Sequence, residues 1–172
     1  MSTQSTVYRT FGDLVDAHQV EVCRYLLRLT GNPAEADDLF QDTFLRALPV
    51  FDRLRAGSNH RAWVCRIATN AFLNHRCRRT RRREVPLPEE LSPRRSSHAA
   101  PYDCRATAAI CRYAILRLPP RQRAAFVQRN LHGLTYADIA RAMGCSEAAA
   151  RVNVYQAVKR MRRELINAEV QR

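Results

Sequence analysis

Arginine is concentrated where it could do chemistry. Six of the eight residues from Arg76 to Arg83 are arginine and none is acidic. Cations packed so closely repel one another unless an anion relieves them. The guanidinium fork donates two parallel hydrogen bonds, which suits phosphate and guanine. A second pattern runs from Thr135 onward. Thr135 can cap a short helix over 136–143, Gly144 can take the left-handed turn, and Ser146 can cap a longer helix from Glu147. That is helix-turn-helix spacing. Small Ala140 permits close approach, and Ala150, Val154, Ala157 and Met161 form the buried stripe of the second helix. Its other surfaces carry Arg151, Val152, Asn153, Tyr155, Gln156, Lys159 and Arg160, a set rich in donors. A third pattern is acidic: Asp37, Asp38, Gln41, Asp42 and Arg46 share the outward side of one helix, either solvated or a docking surface.

The elements that must carry these groups are helical. Phe11, Leu14, Val15, His18, Val22, Leu26 and Leu29 mark one face of a first helix that ends near Gly31. Asn32-Pro33-Ala34-Glu35 supplies an N-cap, a proline at the first helical position and an acid at the third, opening a second helix. The expected buried stripe of that helix is Ala36, Phe40, Phe44 and Ala47 or Leu48. Ser58 or Asn59 caps a third helix with Trp63, Ile67, Ala71 and Phe72 inward and Arg61, Arg66, Asn70, Asn74 and Arg78 on other faces. Ile110, Ala114, Leu116 and Leu118 support a helix up to Pro119-Pro120, and Ala124, Phe126, Val127 and Leu131 another. No alternating run supports a sheet. The expected fold is all-α, in two small helical domains of thin core joined by a flexible linker rich in proline and serine.

Charge divides the chain in the same way. Residues 1–52 carry a net −4, residues 53–83 a net +10, and residues 106–172 a net +8, within a whole-chain charge of +13. Residues 84–105 hold four of the eight prolines. This segregation points to two partner surfaces and a polyanionic ligand. No run of apolar residues is long enough to cross a membrane, and the first ten residues lack a cationic start and an apolar run, so a cytoplasmic location is expected. The six cysteines form no C-x-x-C pair and read as reduced thiols. Cys77, among arginines, is the most plausible reactive one. His98, Cys104 and Cys111 lack finger spacing, and no metal or cofactor is expected.

Four motifs occur in order: Asp37-Asp38-Leu39-Phe40-Gln41-Asp42-Thr43-Phe44-Leu45-Arg46-Ala47, Arg61-Ala62-Trp63-Val64-Cys65-Arg66-Ile67-Ala68-Thr69-Asn70, Leu118-Pro119-Pro120-Arg121-Gln122-Arg123, and Leu134-Thr135-Tyr136-Ala137-Asp138-Ile139-Ala140. Together they resemble the bacterial extracytoplasmic-function (ECF) sigma factors over residues 11 to 168. The resemblance implies a region 2 domain over 9–83, a linker over 84–105 and a region 4 domain over 106–168. It implies a subunit that binds core RNA polymerase and directs transcription initiation at promoter DNA under stress or environmental signals, with an anti-sigma factor as a further partner.

Residue by residue, the resemblance gives Asp38, Gln41 and Asp42 to polymerase. It gives Ser58, Asn59, His60, Arg61, Arg66, Asn70, Arg78, Arg79 and Arg82 to the downstream (−10) element, where a flipped base must regain what its unstacking costs. Ser146, Glu147, Ala150, Arg151, Val152, Tyr155 and Gln156 fall to the upstream (−35) element. Similar proteins usually read Gly-Thr-Val, a cation, Ser and Arg where this chain reads Ala148-Ala149-Ala150-Arg151-Val152-Asn153. The linker can span at most ~75 Å at full extension, enough for sites two turns of DNA (about 70 Å) apart.

Two other classes compete. A self-sufficient helix-turn-helix regulator would need a dimer interface, and no apolar heptad run supplies one. A nuclease or recombinase would need metal ligands. Asp37, Asp38 and Asp42 could hold magnesium, but no further carboxylate or histidine lies close in sequence, and no enzyme activity is expected.

Overall fold

The computed structural model describes residues 8–54, 59–81 and 104–170, with the side chains of 104–107 and 168–170 left aside. The described residues form seven α-helices, α1 (Phe11–Thr30), α2 (Pro33–Ala47), α3 (His60–Arg81), α4 (Cys104–Arg117), α5 (Pro120–Asn130), α6 (Tyr136–Met143) and α7 (Glu147–Val170), with a 3-10 turn at Leu48–Arg53. No strand occurs among them. The all-α expectation therefore holds. α4 begins inside the stretch expected to be linker, so Cys104 and Arg105 are helical.

Local chemistry sets most of the helix ends. Thr10 and Asp13 form a reciprocal capping box at the start of α1. Asn32 Oδ1 accepts the Glu35 amide at α2, with Pro33 at its first position. Thr135 and Ser146 accept the amides of Asp138 and Ala149 at α6 and α7. Gly31 closes α1 at φ 72° with its N–H on Leu27 O. A side chain at Gly31 would meet Leu116 of α4, whose Cδ1 would lie 2.6 Å from its Cβ. The residue is thus glycine both for its backbone conformation and for the approach of the C-terminal helices.

The two sets of helices pack against each other through that approach. Ala124 and Val127 of α5 belong to the same buried cluster as Leu14, Val22, Tyr25, Leu26, Leu29, Ala36, Leu39, Phe44, Val64, Ala68 and Phe72. Cys65 of α3 sits in a second cluster with Leu134, Ile139, Ala140, Met143, Ala150 and Val154. The N-terminal helices α1–α3 and the C-terminal helices α4–α7 are therefore packed into one body. α3 is covered on two sides, by α1 and α2 and by α5 and α6. This corrects its expected stripe: Val64, Cys65, Ala68, Thr69, Ala71 and Phe72 are buried, whereas Trp63 and Ile67 are half-buried. In α2, Leu39 and Thr43 are buried beside Ala36, Phe44 and Ala47, and Phe40 is only half-buried. Leu131 is exposed at the end of α5, not part of its inward face.

Buried polar groups join the two halves. Thr69 Oγ1 donates to Cys65 O at 2.6 Å, so it accepts from Tyr25 OH at 2.8 Å, and Gln128 Nε2 lies 3.0 Å from both hydroxyls. The Tyr25 and Thr69 hydroxyl protons therefore both have an acceptor. Arg123, 4% exposed, donates to the carbonyls of Leu29, Leu116 and Leu118. Leu29 and Leu116 belong to the last turns of α1 and α4, where carbonyls have no partner within the helix and a cation is favoured. Arg123 is thus a single charge stitched to two helix ends. Burial pulls its pKa down to about 10, which leaves it charged at neutral pH.

Arg123→Met should lower unfolding stability in urea at pH 7 by about 2–4 kcal/mol, since it strands three buried carbonyls. Gln128→Leu should cost about 1 kcal/mol or less, because the Gln128 carbonyl already lacks a partner and the Tyr25-Thr69-Cys65 chain survives without it. Equal losses from the two substitutions would refute the weight given to the stranded carbonyls.

Candidate nucleic-acid interface

The helix-turn-helix forms as its sequence spacing indicates. α6 ends on Gly144 at φ 60°, and Cys145 N–H returns to Ala140 O at 3.0 Å, which turns the chain into α7. Ala150, Val154, Ala157 and Met161 are buried on the inner side of α7. Among the positions assigned to the upstream element, Ser146, Glu147, Arg151, Val152 and Tyr155 are exposed and Gln156 is half-buried. Val152 and Tyr155 are 58% and 66% exposed, large apolar groups facing outward on a donor-rich helix. Ala150, assigned to the upstream element by resemblance, falls on the buried stripe expected of this helix. It is wholly buried in the cluster with Ile139 and Met143, where it sets the spacing of α6 and α7.

Arg151 is held in place. Its Nη2 donates to Glu147 Oε1 at 2.6 Å, and its guanidinium lies over the Tyr136 ring at 4.6 Å. Arg129 lies over the same ring, also at 4.6 Å, and donates to Leu134 O.

Positions assigned to the downstream element are dispersed along α3. Arg66, Asn70 and Arg78 are exposed. Asn59 is spent as the cap of α3, its Oδ1 accepting the Ala62 amide at 3.0 Å. The His60 ring packs edge-on against Tyr8. Arg79 is paired with Glu35, which His75 also faces, beside a shallow hollow that Asp38 and Arg78 help to line. Ser58 and Arg82 lie outside the described residues, as do His98 and the side chain of Cys104.

Arg61 is engaged between the two halves. It donates to Glu21 Oε1 and to His132 O, at 2.7 and 2.9 Å, while His132 Nδ1 lies 2.9 Å from the same carboxylate. Sequence reasoning missed Glu21 and His132, as it missed Tyr25, Thr69 and Gln128. Polar residues on a mainly apolar face were the available signal. The His132 hydrogen bond, with help from Arg61 and against the effect of burial, holds the Glu21 carboxyl down at about 2.

The acidic face of α2 is largely exposed, with Asp38 at the edge of the hollow shared with α3. Asp37, Asp38 and Gln41 are exposed, and Asp42 pairs with Arg46 one turn on at 2.7 Å. Leu45 and Leu48, 70% and 52% exposed, extend this face toward the 3-10 turn. Among the described residues no three His, Cys, Asp or Glu side chains converge as metal ligands, and no helix is long and apolar enough to cross a membrane.

An all-helical chain with an exposed, donor-rich second helix in a helix-turn-helix, an arginine-rich α3 and a separate acidic face has the make-up of a DNA-binding transcription protein. Comparison with known proteins narrows this. Residues 14–83 match the Sigma-70 region 2 family and residues 111–161 the Sigma-70, region 4 family. The ECF RNA polymerase sigma factor SigM of Mycobacterium tuberculosis is 33% identical over 156 residues, 90% of this chain and 76% of that protein. SigE of Mycolicibacterium smegmatis, also an ECF RNA polymerase sigma factor, is 32% identical over 157 residues, 89% of this chain, but the chain spans only 60% of its length. The fold matches the sigma factor RpoE in its co-crystal structure with the anti-sigma factor NepR from Bartonella quintana, at a TM-score of 0.71 and 23% identity over 90% of this chain and 96% of that one. The chain belongs to the ECF sigma factor family.

The depressed Glu21 carboxyl makes a pH-dependent bond between the halves. A carboxyl held at about 2 against an ordinary 4.5 contributes stability above pH 4.5, and that contribution is lost as pH falls toward 2. Glu21→Gln should therefore melt below the parent by an amount that is constant above pH 4.5 and shrinks to nothing as pH approaches 2. Thermal melts of both proteins across that range check it, and a difference that grows on acidification would contradict it.

Proposed function

We propose that this chain is a promoter-specificity subunit that binds core RNA polymerase and directs transcription initiation. The observation that carries the reading is the presence of both sigma-70 regions, in order, on a fold that leaves an acidic α2 face and the outer side of α7 open. In this reading residues 9–83 dock polymerase through Asp38, Gln41 and Asp42 and meet the downstream element through α3 and the segment before it. Residues 106–168 read the upstream element through α7, and residues 84–105 connect the two. The protein acts in the cytoplasm, where polymerase works. An anti-sigma factor is its regulatory partner, a reading supported by the partner of the structurally similar RpoE. A self-sufficient regulator is not favoured, because the curated relatives cited above are sigma factors.

The packing of the halves bears on how this subunit works. Packed helices lie about 8–10 Å apart, and α3 and α6 are neighbours. Two promoter elements two helical turns apart lie about 70 Å from one another. Reading both at once therefore requires α5 and α6 to leave α1 and α3, and the same step frees Arg61 and Glu21 from His132. Polymerase, by fixing the separated halves, raises the effective concentration of each for its DNA element.

Run-off transcription with core polymerase from a bacterial host should give promoter-specific transcripts only when the chain is added. The double substitution Asp38→Arg with Asp42→Arg should abolish capture of core polymerase while leaving the circular dichroism spectrum unchanged, because cations would replace carboxylates facing a basic partner surface. Undiminished capture would return the α2 face to solvent.

A further inference from the structure

Tyr136 is the first residue of α6, yet its ring lies beneath a side chain of α7. The Arg151 and Arg129 guanidiniums both sit over it at 4.6 Å. Arg129 comes from the last turn of α5 and donates to Leu134 O at 3.0 Å. It therefore ties the segment that enters α6 and stacks on that helix's first side chain at once. Arg151 belongs to α7 and is 60% exposed, so its position does not follow from burial. A long arginine side chain free in water samples many rotamers, and reading a base edge bidentately means giving them up.

Stacking has one property that an ion pair lacks. A guanidinium held by its flat face on an aromatic ring keeps its N–H groups, which lie in its plane, free to donate. Glu147 takes one Nη2 donor of Arg151 and fixes the side chain along the helix. The Tyr136 ring, 4.6 Å from the guanidinium carbon, confines the group from the other side and takes no N–H donor. The pair of constraints leaves Arg151 with its other donors free on the exposed side of α7.

We infer that Tyr136 is a specificity-determining positioning residue: its ring, braced by Arg129, sets the plane in which Arg151 presents its donors to a base pair of the upstream element. The inference rests on the proposed promoter-reading function. Tyr136 acts through Arg151, so its loss blurs the choice of base instead of weakening DNA binding evenly.

The test uses the full-length chain in holoenzyme with bacterial core polymerase, transcribing a promoter library randomised over both elements, with transcripts sequenced to give a base-preference profile. Tyr136→Leu should cut discrimination by about three- to tenfold, the range expected for one lost cation-π contact, at the same upstream base pairs that Arg151→Ala affects. It should add nothing in the Arg151→Ala background. Tyr136→Phe, which keeps the ring, should keep the profile. A uniform drop in transcription with the profile intact, an effect at other base pairs, or a Phe variant as impaired as Leu would overturn the inference. If Arg151→Ala itself leaves the profile unchanged, the placement of α7 at the DNA fails and the inference falls with it. Failure of Tyr136→Leu alone leaves that placement standing. Should Tyr136→Leu not fold, nuclear magnetic resonance of the full-length wild-type chain decides: the Arg151 δ-methylene protons, assigned through Arg151→Lys, should show an upfield ring-current shift, and ordinary shifts would overturn it.

Discussion

The structure turns on a buried cation that belongs to neither half alone. Arg123 enters from α5, sits among apolar residues, and satisfies carbonyls at the ends of α1 and α4 as well as at Leu118. Among the described residues no carboxylate bonds to it, and the helix ends serve as its counter-charge. Burying an arginine is costly unless its donors are used. The site therefore exists only when α1, α4 and α5 meet. Leu116 pressing on Gly31 and Gln128 reaching Tyr25 and Thr69 belong to the same junction. Apolar burial brings the halves together, and these polar contacts select one way of doing so.

Because the junction is partly polar, it suits a reversible contact better than an apolar seam would. Every group in it has an alternative in water: Arg123 can be solvated, helix-end carbonyls can accept from water, and Glu21 and Arg61, paired within the N-terminal helices, can exchange His132 for water. Separating two apolar faces carries no such compensation. Arg61 illustrates the coupling between packing and function. It lies at the start of the arginine-rich helix, on the side where DNA contacts are proposed, yet here it is occupied by Glu21 and the His132 carbonyl. The packed arrangement therefore adds the His132 carbonyl to the partners of Arg61 while leaving Arg66 and Arg78 exposed.

The helix-turn-helix shows a different kind of order, made within one half. Its caps, its left-handed glycine and its small buried residues are local, and they fix the direction of α7. What they do not fix is the aim of individual side chains. That is supplied by neighbours from other helices: Tyr136 from α6 and Arg129 from α5 bear on Arg151. Ala150 marks the boundary between the two roles. It lies beside Arg151 in sequence but faces the interior, and a larger residue there would push α7 off α6.

Read without coordinates, the sequence determined the helices, most of their ends, the helix-turn-helix and the segregation of charge, because each depends on residues within a turn or two of one another. Capping by Asn32, Thr135 and Ser146 and the turn at Gly144 are of this kind. Family resemblance, carried by short contiguous motifs, was legible for the same reason. The tertiary structure alone decided how the halves meet and therefore which face of α3 is inward, since that helix is wedged between two layers and its buried arc follows both. It also decided that Tyr25, Thr69 and Gln128 share protons, and that Glu21, Arg61 and His132 form one cluster although 111 residues separate Glu21 from His132. No periodicity records such pairings. They arise where packing brings polar groups of distant segments together, and at Tyr25, Thr69 and Gln128 burial leaves these atoms to pair with one another.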